Sequence, residues 1–136
     1  MANEEKLTNN PAGALFDALD DVRTGMLGIH GSDQHLQPMT HFGDREAGKI
    51  WFITARDTDL AKSVRAGKEA RFTGVSTAQD FHACVAGKRS QAEDRKKIEE
   101  VWSPMIDAWF EGGLEDPNAV LLELDISEAS MWASTS

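Results

Sequence analysis

The 136-residue sequence contains one cysteine, no tyrosine and no long apolar run. A single cysteine, Cys84, excludes a disulfide within the chain and a metal cluster built on cysteines. No stretch reaches the roughly 20 apolar residues that a membrane-spanning helix needs. The N-terminal residues 1–6 also lack the basic start and apolar segment of a secretion signal. We therefore expect a cytoplasmic protein with no membrane partner.

Basic residues are scarce as well. The chain has 14 Lys and Arg against 23 Asp and Glu, which gives a formal net charge of -9. Nucleic acids are bound by clustered Lys and Arg, so we expect no nucleic-acid partner. The densest basic runs, Lys88-Arg89 and 95–97, have acidic neighbours and predict a solvated face. The length indicates a single domain that covers residues 1–136.

Apolar patterns predict a mainly β, α+β fold, a six-stranded antiparallel barrel with peripheral helices. An apolar run at 49–54 is typical of a central strand buried on both faces. Pro38 cannot donate to a strand ladder, which predicts an edge or a bulge and leaves backbone groups near 37–40 for another use. The predicted strands lie at about 23–30, 35–42, 49–54, 69–76, 79–88 and 120–126, and the predicted helices at 10–22, 58–67 and, as two short helices, 98–110.

A possible phosphate site follows the central strand. Thr54 ends this strand, and the predicted helix after it begins near Asp57 or Thr58 and carries Lys62. A hydroxyl, free helix amides and a cation at one corner can hold a phosphate. The alternative is an ordinary helix start, because Asp57 and Asp59 complement the helix dipole and repel an anion.

Other candidate groups have simpler explanations. The four histidines show no spacing typical of a zinc site, so we expect surface or edge-strand histidines and no metal. His82 and Cys84 share one strand face, but a lone cysteine in an apolar strand is usually inert packing. Helical spacing assigns Trp102 and Trp109 to the core. Trp132 lies outside any strong pattern. Two interpretations stay open: it is an aromatic wall for a planar ligand, or it packs at the rim of the barrel.

A set of short motifs runs along the chain: Met26-Leu27, Gln37-Pro38-Met39, Trp51-Phe52-Ile53-Thr54, Lys62, Val101-Trp102-Ser103-Pro104, Ala108-Trp109-Phe110, Asp116-Pro117 and Met131-Trp132. This set resembles the general stress protein 26-like branch of the flavin-binding split barrels related to pyridoxamine phosphate oxidase. The resemblance covers nearly the whole chain, and its most specific part is the Trp-Ser-Pro segment followed by Trp-Phe and Asp-Pro.

The resemblance implies a split barrel that forms a homodimer, with two FMN sites built from both protomers. FAD or a deazaflavin in the same groove is the alternative cofactor. Trp132 matches a late tryptophan that lies against the flavin in the oxidase. The implied contacts to the phosphate and ribityl chain come from Gln37, Pro38, Met39, Thr40, Ile53, Thr54 and Lys62.

Two positions depart from the family pattern. Gln37 stands where the family usually has arginine, and Leu60 where it has serine. Losing both contacts would cost about 2–4 kcal/mol of flavin binding. Arg56 is a candidate substitute. The oxidase also carries a substrate-binding Arg and His after its late tryptophan, whereas four residues follow Trp132 here. We therefore expect no pyridoxamine phosphate oxidase activity.

Two hypotheses follow. The first is an FMN-binding protein that works as a flavin-dependent oxidoreductase on a small molecule, or as a flavin-binding stress protein. The residues name no side-chain acid or base for it, so the flavin would supply the chemistry. The second is a degenerate dimeric barrel that has lost flavin binding and acts without catalysis.

Overall fold

The structure is a computed structural model that describes residues 2–56, 68–92 and 94–134. The predicted helix after residue 56, with Asp57, Leu60 and Lys62, lies outside the described residues. The helices are α1 (Ala2–Asn9), α2 (Pro11–Asp21), α3 (Arg95–Val101) and α4 (Pro104–Asp107), with a 3-10 turn at Gly113–Glu115; the strands are β1 (Thr24–Ile29), β2 (Gln37–Asp44), β3 (Lys49–Ala55), β4 (Lys68–Val75), β5 (Phe81–Ala92) and β6 (Ala119–Ala133).

The six described strands form a closed antiparallel barrel in the order β1-β2-β3-β6-β5-β4. The last strand, β6, pairs with β3 through residues 119–125 and with β5 through residues 121–133. A register shift between Ala86 and Gly87 of β5 interrupts the second pairing. The predicted mainly β, six-stranded barrel is confirmed.

Strand β3 explains why the barrel has two apolar clusters. Its side chains alternate between faces, and both faces are buried. Ile50 and Phe52 point into the barrel interior and are fully buried there. Trp51 and Ile53 point outward into a second cluster, which contains Ile106 and other residues of the helical segment. The prediction of a central strand buried on both sides is therefore confirmed.

Helix α2 packs against the barrel interior. Asn10 caps this helix by accepting a hydrogen bond from the Gly13 amide at 3.0 Å, as the sequence predicts. Its apolar stripe, which includes Phe16 and Leu19, joins the barrel core. On the outer side of β3 and β6, α3 and α4 cover the second cluster. Ser103 caps α4 by accepting from the Ile106 amide, and Pro104 opens the helix, so the predicted cap and first turn are also confirmed.

Three predictions about individual residues are wrong. His41 is buried rather than on the surface, because it faces the barrel interior and contacts Phe72 edge to face. Arg89 belongs to a run predicted to be solvated, yet it is fully buried. Burial lowers the pKa of its guanidinium to about 10, so the group stays charged at neutral pH. Trp109 was assigned to the core and is 55% exposed.

Strand β2 as a whole pairs with both β1 and β3, so the edge predicted from Pro38 holds only for residues 37–40, which in the described structure pair with β1 alone. The pairing with β3 covers only residues 41–44, whereas β1 pairs with residues 37–40. The His41 amide donates to the Arg23 carbonyl on the β1 side. Since alternate residues face the same neighbour, Pro38 and Thr40 turn their backbone away from β1. The proline therefore removes no ladder hydrogen bond.

Within the described residues, every helix is too short or too polar to span a membrane.

Candidate functional site

A cleft opens where β2 and β3 separate. Their pairing starts at His41 and Phe52, so the preceding residues of β2 and the following residues of β3 diverge. The cavity between them has a volume of about 390 Å³. We call it the β2–β3 cleft, and its lining residues are Thr24, Pro38, Met39, Thr40, Ile53, Thr54, Ala55, Trp109 and Phe110.

The walls of this cleft are apolar with a few hydroxyl groups. Met39, in the barrel core, and Ile53, in the second cluster, are both buried and both border the cavity. Thr24, Thr40 and Thr54 carry the hydroxyls. None of the described lining residues is ionisable, so the cleft offers shape, hydrogen bonds and an apolar surface rather than a side-chain acid or base.

Two aromatic residues from the segment after α4 form one wall. The helix ends at Asp107, and the Trp109 amide donates to the Ile106 carbonyl in a turn. Phe110 is buried in the second cluster and contacts Trp102 at 5.7 Å between ring centroids. Because the chain leaves helical geometry here, Trp109 is turned outward and its indole lies at the cleft. The Trp-Phe motif was the available sequence signal, but a continued helical register placed Trp109 in the core.

The structure brings together five of the predicted contact residues. Pro38, Met39, Thr40, Ile53 and Thr54 all line the β2–β3 cleft, although they come from two separate strands.

Three other predicted residues have different outcomes. Gln37 begins β2, pairs with Leu27 and is half-buried, but it is not part of the described cleft lining. Trp132 is exposed on the part of β6 that pairs with β5, opposite His82, and also lies outside this lining. Lys62 falls outside the described residues.

Arg56, the proposed substitute for a phosphate ligand, is directed elsewhere. Its Nε donates to the Pro117 carbonyl at 3.1 Å, and its amide donates to the Asn118 carbonyl at 2.7 Å. These bonds tie the end of β3 to the turn before β6. Arg56 is absent from the described lining of the β2–β3 cleft.

His41 lies behind the cleft wall as a neutral group. Its Nε2 is 2.7 Å from the Leu19 carbonyl, a distance at which the ring nitrogen donates. Burial lowers the pKa of the imidazole, and the carbonyls of Leu19 and Val22 and the charge of Asp20 only partly oppose this effect. Among the described residues, no group bonds to Nδ1. This histidine therefore joins α2 to β2 in its neutral form. No cluster of metal ligands is present in the described part of the chain.

Comparison with known proteins shows what the chain is similar to. A family model described as pyridoxamine 5'-phosphate oxidase like matches residues 10–136. General stress protein 26 of Bacillus subtilis (strain 168) is 26% identical over 115 residues, which is 82% of this chain and 80% of the relative.

Solved structures share the fold. A protein designated a general stress protein 26 from Jannaschia sp. CCS1 is 36% identical, with a TM-score of 0.84 over 96% of this chain and 81% of the other. The general stress FMN/FAD binding protein from Xanthomonas citri is 34% identical, with a TM-score of 0.79 over 90% of this chain and 88% of the other.

Proposed function

Because this chain belongs to the pyridoxamine 5'-phosphate oxidase like family, we propose that it binds FMN in the β2–β3 cleft and works as a flavin-dependent oxidoreductase. One observation carries the proposal. Five residues predicted from the sequence to contact the cofactor line one cavity, although they come from different strands. The 34% identity to a general stress FMN/FAD binding protein supports it.

The cleft residues fit a flavin. The backbone of Thr40 faces the cleft rather than β1, so it can hydrogen-bond a ligand. Met39 and Ile53 offer an apolar surface, and the exposed indole of Trp109 suits a planar ring. A volume of about 390 Å³ lies within the usual range for ligand pockets.

The contribution of each part follows from its chemistry. A bound flavin would supply two-electron transfer. The threonine hydroxyls of the cleft would bond its polar edge and ribityl chain, and the apolar wall would exclude water. Lys62, through the family resemblance, is the proposed phosphate ligand. With no ionisable residue in the described lining, the protein would hold and orient reactants rather than move protons.

We also propose that the active unit is a homodimer. The register aligns Val75 with His82 and His82 with Trp132, and it places Met26 opposite Thr73, two residues from Val75. Met26, Val75 and Trp132 therefore share the outer side of the barrel, where each is an exposed apolar residue. A second copy on this face would cover them and could bring its own Trp132 to the cleft. We expect the dimer to be cytoplasmic.

The first test is the cofactor itself. The purified protein should show the visible absorption and fluorescence of a bound flavin, or should acquire them when FMN is added. Mass spectrometry of the released ligand distinguishes FMN from FAD and a deazaflavin. A colourless protein that ignores all three would contradict the proposal.

The second test locates the phosphate. A charge-assisted hydrogen bond is worth about 1.5–3 kcal/mol, so Lys62→Gln should weaken FMN binding about 10- to 150-fold. Riboflavin lacks the phosphate and should bind both proteins equally. Lys88→Gln removes an exposed lysine of β5 and is the matched control. Equal losses for FMN and riboflavin would contradict a phosphate contact at Lys62.

A non-catalytic barrel without flavin is the second candidate. Gln37 favours it, because this residue lies outside the described cleft lining and carries no charge. The arginine that the family usually has at this position would offer a charged ligand. In that case the wild-type protein should remain free of flavin, whereas the double variant Gln37→Arg, Leu60→Ser should gain binding. No gain would count against this candidate.

Sedimentation tests the dimer. The wild-type protein should sediment at twice 14.9 kDa, and Val75→Glu should shift it toward the monomer. A wild-type species of 14.9 kDa alone, at micromolar concentration, would refute the dimer.

A further inference from the structure

A second cavity lies beside the β2–β3 cleft. Its volume is about 640 Å³, and it is an open cavity bordered by the end of α2, by β2 and by the segment that joins α3 to α4. Thr40 lines both cavities. We call this space the Arg23 cavity; its lining residues are Leu19, Asp20, Val22, Arg23, Thr40, His41, Phe42, Gly43, Glu100, Val101, Ser103, Pro104 and Met105.

The two carboxylates of this cavity already have ion-pair partners. Asp20 accepts from Arg45 at 3.0 Å. Glu100 pairs with Lys97 at 2.9 Å. Each of these cations is shared with a second carboxylate, Arg45 with Asp17 and Lys97 with Asp44. The ion pairs therefore offset part of the negative charge of Asp20 and Glu100, which would repel an anion less than free carboxylates.

Arg23 has no such balance. It makes no ion pair with any residue in the described ranges, and the contact of its guanidinium is Nη1 to the Met105 sulfur at 3.5 Å. Its backbone is fixed, because its carbonyl accepts the His41 amide at the start of β1. A guanidinium presents five donors in a planar fork that matches a carboxylate or phosphate. Arg23 is therefore the cationic side chain that the described lining offers to an anion, in a chain of net charge -9.

The rest of the cavity suits the body of a small organic molecule. Val22, Phe42, Val101 and Met105 provide apolar side chains, and Ser103 and Thr40 add hydroxyl groups. An apolar wall with a few convergent polar groups is the usual composition of a small-molecule site.

We propose that the Arg23 cavity is the substrate side of the flavin cleft and takes a small organic anion, whose acidic group lies on Arg23 and whose apolar body reaches toward Thr40. The inference rests on the proposed function, since a flavin in the β2–β3 cleft would share the Thr40 wall with this substrate. Arg23 would set specificity for an acid over the corresponding neutral compound, because a neutral group gains no charge-assisted contact.

Benzoate and phenyl phosphate are suitable probes, with benzyl alcohol as the neutral counterpart. Each is titrated into FMN-saturated protein, and the flavin absorption spectrum is followed. Both anions should bind saturably and perturb the spectrum, whereas benzyl alcohol should bind about ten- to a hundredfold more weakly. Arg23→Gln should lose the preference for anions and leave the affinity for FMN unchanged, and Arg23→Lys should keep part of it.

Arg71→Gln is the matched control, because Arg71 is an exposed arginine of β4 that pairs with Glu69. Anion binding that survives Arg23→Gln, or that is lost equally in Arg71→Gln, would overturn the inference. Calorimetric titration of flavin-free protein separates the two proposals. Anion binding that depends on Arg23 in a protein unable to bind FMN would support the cavity and refute the flavin site.

Discussion

Replacing Trp109 tests the wall of the β2–β3 cleft. This side chain is 55% exposed at the cavity. A tryptophan buries at most roughly 150–250 Å², so a flavin that covers the exposed part would remove about 80–140 Å² from water. At about 25 cal/mol per Å² this is worth about 2–3.5 kcal/mol. Stacking of a base on an aromatic side chain is worth about 1–3 kcal/mol when measured by alanine substitution.

We therefore expect Trp109→Ala to raise the Kd for FMN about 5- to 150-fold. Trp109→Phe keeps an aromatic face and should lose much less. The measurement is a titration of FMN fluorescence with protein, together with urea unfolding to establish that each variant is folded.

Leu36→Ala is the control for a general loss of apolar surface, since Leu36 is 44% exposed and lies outside the described cleft lining. Its Kd for FMN should equal that of the wild type. The reasoning is refuted if folded Trp109→Ala binds FMN as tightly as the wild type, or if Leu36→Ala loses as much affinity.

Three further predictions concern stability and affinity. Burial lowers the pKa of His41 from 6.5, so protonation of this imidazole favours the unfolded state. The contribution of His41 to the free energy of unfolding should be greatest above about pH 6.5 and should fall as the pH drops below it. His41→Gln should reduce this pH dependence, measured by urea unfolding at several pH values. At Gly87 an added Cβ would lie 2.1 Å from the Asp125 carbonyl oxygen, so Gly87→Ala should lower the free energy of unfolding by roughly 1–3 kcal/mol or more. At Gly74 an added Cβ has no neighbour within 4 Å, so the free energy of unfolding of Gly74→Ala should lie within about 1 kcal/mol of the wild-type value. Gln37→Arg should strengthen FMN binding about 10- to 150-fold without changing riboflavin binding; equal strengthening of both would show that the arginine does not contact the phosphate.

The barrel could be predicted because its strands and caps follow local rules. Residues 50–53 are all apolar, so both faces of this strand are apolar, and they form the doubly buried centre of β3. Ser103 and Pro104 mark a helix start by their own chemistry, whatever surrounds them. The contact residues 38–40 and 53–54 were predicted through the resemblance, and their shared cavity depends on the separation of β2 and β3.

The remaining features depend on tertiary structure. The predicted last strand ended at Ile126, but β6 continues to Ala133 because β5 lies beside it as a pairing partner. Arg89 is buried because its strand position faces the barrel interior, which its charge does not indicate. Trp109 follows a helix that ends two residues earlier, so periodicity gave the wrong side.

The position of β6 has a consequence for synthesis of the protein. Strand β6 lies between β3 and β5, so a nascent chain has no strand to join these two until residues 119–133 have left the ribosome. Until then both neighbours present open edges, which are prone to pair with other chains. Ring closure must therefore await the synthesis of β6, and products truncated before residue 119 should be targets for chaperones and proteases.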